Sequence, residues 1–185
     1  MKKIAIIAAM GAAFVAAGVQ ASTGTINFTG TVTSQTCAAS VGGINAPTAA
    51  TVALPAVQAS ALSAAAATAG RTAFQIALTG CSTTAGSGAN TVKAFFESGS
   101  TVDSAGRLSN SATGATAATN VALQLVDGTT NGVIAAGNAS QNTGGYVTIS
   151  ASAASLPYYV QYIATTGAAS AGSVTSSVTY SLIYQ

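Results

Sequence analysis

Apolar and polar residues alternate with a period of two along much of the chain, as in β-strands that have one buried and one solvent-facing side. In residues 24–33 the even positions carry Gly, Ile, Phe, Gly and Val, and the odd positions carry Thr or Asn. Residues 72–79 repeat this pattern just before Gly80 and Cys81. Clusters of Gly, Ser, Thr and Asn, which favour turns, separate further candidate strands at residues 92–96, 121–126, 146–149, 158–163 and 173–184.

Strands at this spacing predict an all-β, antiparallel sandwich. The alanine-rich stretch at residues 59–69 departs from the alternation, because alanine favours helix. We interpret this stretch as a loop with one helical turn.

The N-terminus has the features of a secretory signal peptide. Lys2 and Lys3 precede an apolar run over residues 4–19, and Val19-Gln20-Ala21 is a small-residue cleavage site. The run is shorter than the roughly 20 residues of a membrane-spanning helix. We therefore expect a cleaved signal peptide at residues 1–21, export, and a mature chain that begins near Ser22. Removing 21 of 185 residues leaves 164, which suits one domain.

Few charges remain after cleavage, and they balance. Three basic residues oppose three acidic ones: Arg71, Lys93 and Arg107 against Glu97, Asp103 and Asp127. Without a basic patch the chain lacks the electrostatic attraction that binds phosphates, so we expect no nucleic-acid partner. Low net charge also favours association between copies.

The mature chain offers little for catalysis. It has no histidine, which excludes a Ser–His–Asp arrangement, and its three carboxylates lie in or beside predicted loops, where we expect them to be solvated. Residues 86–90 are rich in glycine but lack the Gly-Lys-Ser/Thr ending of a phosphate-binding loop. We predict no enzyme activity, no cofactor and no metal site. Tyr158, Tyr159 and Tyr162 are typical packing residues of a strand, and sugar stacking is the alternative interpretation.

Cys37 and Cys81 are the two cysteines of the chain. In an oxidising compartment the simplest prediction is one disulfide between them, since the ligands for a metal site are missing. Closing a loop of 44 residues would stabilise the fold by about 4 kcal/mol.

Both ends of the mature chain have the pattern of long strands, although unpaired edge strands are normally blunted. Residues 173–185 end while still in the strand pattern. Residues 24–33 precede the first cysteine and are thus free to reach a neighbouring molecule. If one copy inserts this strand beside the last strand of another, each joint gains a β-ladder and buried side chains.

Several segments, taken together, resemble the major subunit of a type 1 pilus of the chaperone–usher pathway. Gly172 is fourteenth from the end and Tyr184 is penultimate, as in the C-terminal pattern of that family. The other matching segments are residues 28–32 leading to Cys37, residues 51–54 leading to Cys81, residues 120–128 and residues 180–185.

The resemblance implies an incomplete immunoglobulin-like sandwich that lacks its final strand and is completed by a donor strand from a neighbouring subunit. Residues 22–34 would be the donor-strand extension and residues 35–185 the pilin domain. The donor residues would be Ile26, Phe28, Gly30 and Val32. The acceptor groove, which a chaperone also contacts, would include Gly172, Val178, Tyr180, Leu182 and Tyr184, and the disulfide would join two early strands.

The function implied by the resemblance is that of a structural subunit of a surface fimbria that supports adhesion and colonisation. Its expected partners are identical subunits, a periplasmic chaperone and an outer-membrane usher; a host receptor would be reached only indirectly, through the fimbrial tip. The alternatives are a minor tip subunit or adhesin that binds a host glycan, and a soluble periplasmic sandwich that never polymerises.

Overall fold

The computed structural model describes residue 27 and residues 37–46, 48–81 and 90–185. The predicted signal peptide lies outside these residues, as do donor residues Ile26, Phe28, Gly30 and Val32. The described part contains ten strands and two 3₁₀ turns, the latter at Ala59–Leu62 and Ala139–Asn142. The strands are β1 (Ala38–Val41), β2 (Ile44–Asn45), β3 (Thr68–Thr79), β4 (Thr91–Phe96), β5 (Leu108–Ser109), β6 (Val121–Asp127), β7 (Val133–Ile134), β8 (Val147–Thr148), β9 (Ala154–Ala164) and β10 (Tyr180–Tyr184).

The strands form two antiparallel sheets. In the larger sheet the order is β2-β1-β3-β9-β6-β5, and β7 also pairs with β6. Its centre is β9, which places Leu156 opposite Ile76 of β3 and Val160 opposite Leu125 of β6. The smaller sheet has the order β10-β4-β8, with Leu182 of β10 opposite Ala94 of β4.

The core lies between the two sheets and is made by the inward residues of the alternating strands. Leu156 of β9 and Val92 of β4 are fully buried. The ring of Phe96 in β4 meets the ring of Tyr158 in β9 edge to face, with the centroids 5.0 Å apart. Edge-to-face contact is a preferred aromatic geometry, and here it joins the smaller sheet to the larger one.

Most predicted strands are confirmed, with changes in length. The strands predicted at residues 72–79 and 158–163 extend to Thr68–Thr79 and Ala154–Ala164, because they pair with each other over almost their whole length. The strand predicted at residues 146–149 is reduced to Val147–Thr148, since only these residues pair with β4. The helical turn expected within residues 59–69 is confirmed as the 3₁₀ turn at Ala59–Leu62.

The predicted disulfide between Cys37 and Cys81 is confirmed. Cys37 immediately precedes β1, and Cys81 follows β3. These strands pair antiparallel with Ala38 opposite Thr79, which brings the two cysteines together. The bond therefore ties the start of β1 to the end of β3.

The expectation of solvated carboxylates was wrong for Asp127, whose residue is only 6% exposed. This side chain ends β6 and accepts hydrogen bonds from the backbone N–H groups of Thr129 and Thr130, at 2.7 and 2.9 Å. Lys93 is also buried; its ammonium donates to the carbonyls of Gln141 and Gly144. Burial lowers the pKa of Lys93, and the charge of Asp127 opposes that change. The loop at residues 139–145 covers both groups, since Gln141 and Gly144 contact Lys93 and Gly145 lies against the Asp127 carboxylate.

Within the described residues, no helix has the length and apolar character needed to cross a membrane.

Candidate functional site

One long edge of the smaller sheet, at β10, has no pairing strand among the described residues. On one side β10 pairs with β4, where Gln185 and Thr91 exchange two backbone hydrogen bonds of 2.9 Å and Glu97 N–H donates to the Thr179 carbonyl at 2.9 Å. Since backbone groups alternate in direction along an antiparallel strand, the odd residues face β4 and the even residues face away from it. In the part of the chain that the structure describes, no strand pairs with β10 on that second side.

The side chains along this edge alternate as well. From Val174 to Tyr184 the even residues are half-buried, whereas the odd residues except Ile183 are exposed. The apolar even residues pack against the main core from its margin: Val174, Val178, Tyr180, Leu182 and Tyr184. Equivalent inward residues of β9, such as Leu156 and Tyr158, are almost completely buried. The face along the open edge is thus an incompletely covered part of the core, which we call the groove.

A second extended segment approaches the upstream end of the groove. In residues 51–57 the half-buried positions are Val52, Leu54 and Val57, and these pack against the same core clusters. Val57 and Val174 line one cavity of about 130 Å³, together with Leu62, Tyr162 and Gly172. The Tyr162 hydroxyl donates to the Pro55 carbonyl at 3.2 Å and holds this segment in place.

At the downstream end, the groove reaches the disulfide. Burial raises the pKa of Tyr184, while a hydrogen bond with the Cys37 backbone opposes the rise. Burial also raises the pKa of Tyr180, whose ring lies 6.5 Å from that of Phe96 between centroids. Both tyrosines are therefore neutral at physiological pH, and the groove presents an apolar floor with hydroxyl groups at one end.

The strand predicted over residues 173–184 is regular only from Tyr180, and that part of the prediction was wrong. Residues 173–177 are extended, but a loop rather than a strand holds them. Ser111 N–H donates to the Thr175 carbonyl at 2.8 Å, and Thr175 N–H donates to the Asn110 side-chain oxygen at 3.0 Å. Val178 therefore lies just upstream of the last strand, although its side chain still contributes to the groove.

Gly172 stands at a point where two backbones touch. A Cβ at this position would lie 2.5 Å from the backbone nitrogen of Ala118 and 2.6 Å from the Thr116 carbonyl oxygen. Backbone bonds on either side, from Ala118 N–H to the Ser173 carbonyl at 3.0 Å and from Ser173 N–H to the Thr116 carbonyl at 2.7 Å, require this approach. Glycine at 172 thus allows the segment that leads into the groove to be anchored.

The opposite edge of the smaller sheet is capped by side chains. Beyond its short pairing with β8, β4 has Ala94 N–H donating to the Tyr158 hydroxyl at 3.0 Å. The Gln141 side chain accepts from Phe96 N–H at 2.9 Å and donates to the Phe96 carbonyl at 3.0 Å, as a neighbouring strand would. Sequence reasoning missed both contacts, because a glutamine in a polar loop gives no pattern and a strand tyrosine shows no sign of which backbone group its hydroxyl meets. Side chains thus cap one edge of this sheet, whereas no strand in the described part of the chain pairs with the other edge.

Comparison with known proteins identifies the family of the chain. Residues 54–185 match the family model of FimA, type-1 fimbrial protein A. The chain belongs to this fimbrial family. It is 46% identical over 171 residues to the major fimbrial subunit SMF-1 of Stenotrophomonas maltophilia (strain K279a), covering 89% of this chain and 94% of the relative. It is 37% identical over 187 residues to the F17 fimbrial protein of Escherichia coli, covering 100% of both chains.

Solved structures agree on the fold. A chain from a chaperone–usher pilus structure that addresses rod uncoiling superposes with a TM-score of 0.58 at 21% identity, over 89% of this chain and 96% of that one. The P pilus rod subunit PapA gives a TM-score of 0.58 at 17% identity, over 80% of this chain and 99% of PapA. The predicted incomplete immunoglobulin-like sandwich is confirmed.

This fimbrial protein is therefore a structural pilus subunit, as the resemblance predicted. Its family and relatives are structural fimbrial subunits rather than enzymes, and the family belongs to the surface fimbrium. The alternative of a minor tip subunit or adhesin is not favoured, since the relatives are a major subunit and a fimbrial protein.

Proposed function

We propose that this subunit polymerises by donor-strand exchange, with residues 22–34 of one copy lying in the groove of the next. The observation that supports the proposal is the outer edge of β10: its even residues turn their backbone groups away from β4, their side chains are half-buried, and no strand among the described residues pairs there. A strand with alternating apolar residues meets both requirements of this edge, because it supplies hydrogen-bonding groups and apolar side chains together.

The energy of such a joint is large. Burial of Ile26, Phe28 and Val32 would contribute roughly 1.5–3 kcal/mol each. Several backbone hydrogen bonds along the open edge would add roughly 1 kcal/mol each. The sum is on the order of 10 kcal/mol, so a joint would open very slowly once formed. Gly30 would lie where the groove leaves no room for a side chain.

Before polymerisation the groove requires another cover, since an exposed apolar edge promotes aggregation. We infer that a periplasmic chaperone binds in the groove first. At an outer-membrane usher, the donor strand of the next subunit then replaces the chaperone. Export of the subunit begins with removal of residues 1–21, and its assembly ends at the cell surface, where the fimbria supports adhesion and colonisation. The subunit uses no cofactor and catalyses nothing.

Deletion of residues 22–34 tests the proposal. Cells that express the shortened chain should export it but assemble no fibres from it, as seen by electron microscopy and mass spectrometry of sheared surface material. Moving residues 22–34 behind Gln185 through a flexible linker should instead yield a stable, self-complemented monomer. Normal fibres from the deleted chain would overturn the proposal.

A second variant tests the groove itself. Gly30→Leu should block fibre assembly while leaving chaperone binding intact, because Gly30 enters the groove only at the exchange step. Thr29→Leu is the matched control, since odd residues of the donor strand face away from the groove. Equal fibre yields from both variants would contradict the role of Gly30.

A further inference from the structure

The turn between β6 and β7 contains the one Asn-Gly pair of the sequence, Asn131 and Gly132. Both residues are exposed. In such a pair the backbone nitrogen of the glycine can attack the side-chain amide carbon of the asparagine, because glycine has no side chain that hinders the approach. The turn therefore places a nucleophile and an electrophile in adjacent residues.

The guanidinium of Arg71 lies against the electrophile. Its Nη2 donates to the Asn131 Oδ1 at 2.8 Å. The same guanidinium lies 4.0 Å from the centre of the Tyr159 ring, and this cation–π contact helps to hold it in place. When a nitrogen attacks the amide carbon, negative charge develops on Oδ1. A charged donor already in position stabilises that charge.

The hydroxyl of Thr130 lies beside the nucleophile. Gly132 N–H donates to the Thr130 hydroxyl oxygen at 3.1 Å, and Thr130 is exposed. The backbone nitrogen must lose its proton in order to attack, and a solvated hydroxyl can accept this proton while it passes its own proton to hydroxide. The groups around the Asn131 amide thus include a nucleophile, a proton acceptor and an oxyanion donor.

We propose that Asn131 is a site of self-catalysed deamidation. The Gly132 nitrogen gives its proton to solvent through the Thr130 hydroxyl and bonds to the side-chain carbon of Asn131. The amide nitrogen then takes a proton from water, its bond to that carbon breaks, and ammonia leaves. Water opens the resulting cyclic imide at either carbonyl, which gives aspartate or isoaspartate at residue 131. When aspartate forms, its carboxylate replaces the amide beside Arg71, where a charge-assisted hydrogen bond stabilises it.

An Asp-Gly pair at the start of the same turn, Asp127 and Gly128, lacks these features. Asp127 is only 6% exposed, and its carboxylate binds the backbone N–H groups of Thr129 and Thr130. Gly128 N–H donates to the Pro157 carbonyl at 2.9 Å, and a Cβ on Gly128 would lie 2.7 Å from that oxygen. This nitrogen is packed against β9, so we expect the reaction at Asn131 and not at Asp127.

The reaction goes beyond the proposed function and does not depend on donor-strand exchange, because the turn and the groups around it belong to one subunit. Conversion of Asn131 changes the charge of the mature chain from three basic and three acidic side chains to three basic and four acidic groups. A fibre therefore acquires negative charge as it ages.

The test follows conversion at residue 131 in fibres isolated from cells, by mass spectrometry of protease fragments after incubation in mildly alkaline buffer. The folded chain should convert faster than the same chain unfolded in guanidinium chloride, which keeps the Asn-Gly pair but loses the contacts of Arg71 and Thr130. Arg71→Met should slow conversion in fibres about 3- to 30-fold, the range for one charge-assisted hydrogen bond at an exposed site. Arg107→Met removes the same charge elsewhere and should leave the rate unchanged.

A second pair of variants tests the proton acceptor. Thr130→Val should slow conversion, whereas Thr129→Val, which changes the neighbouring exposed threonine, should not. If Arg71→Met forms no fibres, this pair and the comparison of folded with unfolded chain decide the question. Conversion that is slower in the folded chain than in the unfolded one, or equal rates for each variant and its control, would contradict the proposal; Arg71 would then hold Asn131 without activating it.

Discussion

Replacing Gln141 by leucine should destabilise the subunit through one orphaned backbone group. Gln141 is 6% exposed, and its side chain binds both polar groups of Phe96. In Gln141→Leu the Phe96 carbonyl keeps the N–H of Gly137, at 2.8 Å, but the Phe96 N–H loses its partner. A buried donor left unsatisfied costs about 1–3 kcal/mol. Leucine has nearly the volume of glutamine, so the cavity contribution should be small.

The assay is equilibrium unfolding in urea of the self-complemented monomer, with its disulfide intact, followed by circular dichroism. With a denaturant dependence of about 2 kcal/mol per molar, the midpoint should fall by about 1 M. The control is Gln75→Leu, an exposed glutamine whose side chain accepts from the Ser155 hydroxyl at 3.0 Å; its expected effect is below about 0.5 kcal/mol. Equal midpoints for the two variants would refute the capping role of Gln141.

Three further perturbations test other contacts in the fold. Burial raises the pKa of Tyr158 to about 12, from the usual tyrosine value of 10.0. The neutral hydroxyl therefore contributes its full free energy of folding below pH 10.0, and this contribution should be lost as pH rises toward 12. Tyr158→Phe should flatten the pH dependence of unfolding measured from about pH 9 to 12. Gly172→Ala should cost about 1–3 kcal/mol in urea unfolding, because its Cβ meets the Ala118 backbone, whereas Gly167→Ala, which has open space, should cost under about 1 kcal/mol. The double change Cys37→Ser, Cys81→Ser should lower stability by about 4 kcal/mol, and a loss below about 1 kcal/mol would contradict the loop-closure argument.

The two edges of the smaller sheet differ in how their backbone groups are covered. Tyr158 and Gln141 satisfy the backbone of β4 on one side, which removes a site for unspecific strand pairing. The other edge, at β10, pairs with no strand among the described residues and is the one that the proposed polymer uses. Gln141→Leu should therefore reduce the stability of each subunit without removing its ability to form fibres.

Alternation, together with the turn-favouring clusters between segments, was enough to locate the long strands. β3 and β9 alternate buried and more exposed residues over much of their length, whereas β4 and β6 are buried on both faces and were recognised as apolar segments bounded by turn-favouring residues. The disulfide was equally predictable, since an exported chain with two cysteines has one simple pairing. The sequence also predicted that the even residues from Val174 to Tyr184 share one face of the last strand.

Only the tertiary structure decided the rest, because it depends on partners far apart in the chain. β2, β5 and β7 have two residues each, too few to show a period, and exist because a longer strand lies beside them. The expectation that Asp127 is solvated failed because residues 139–145 fold over it, and no local pattern reports that cover. Likewise, the sequence placed Ser176 on the groove face, but only the packing around it left its hydroxyl buried without a partner among the described residues.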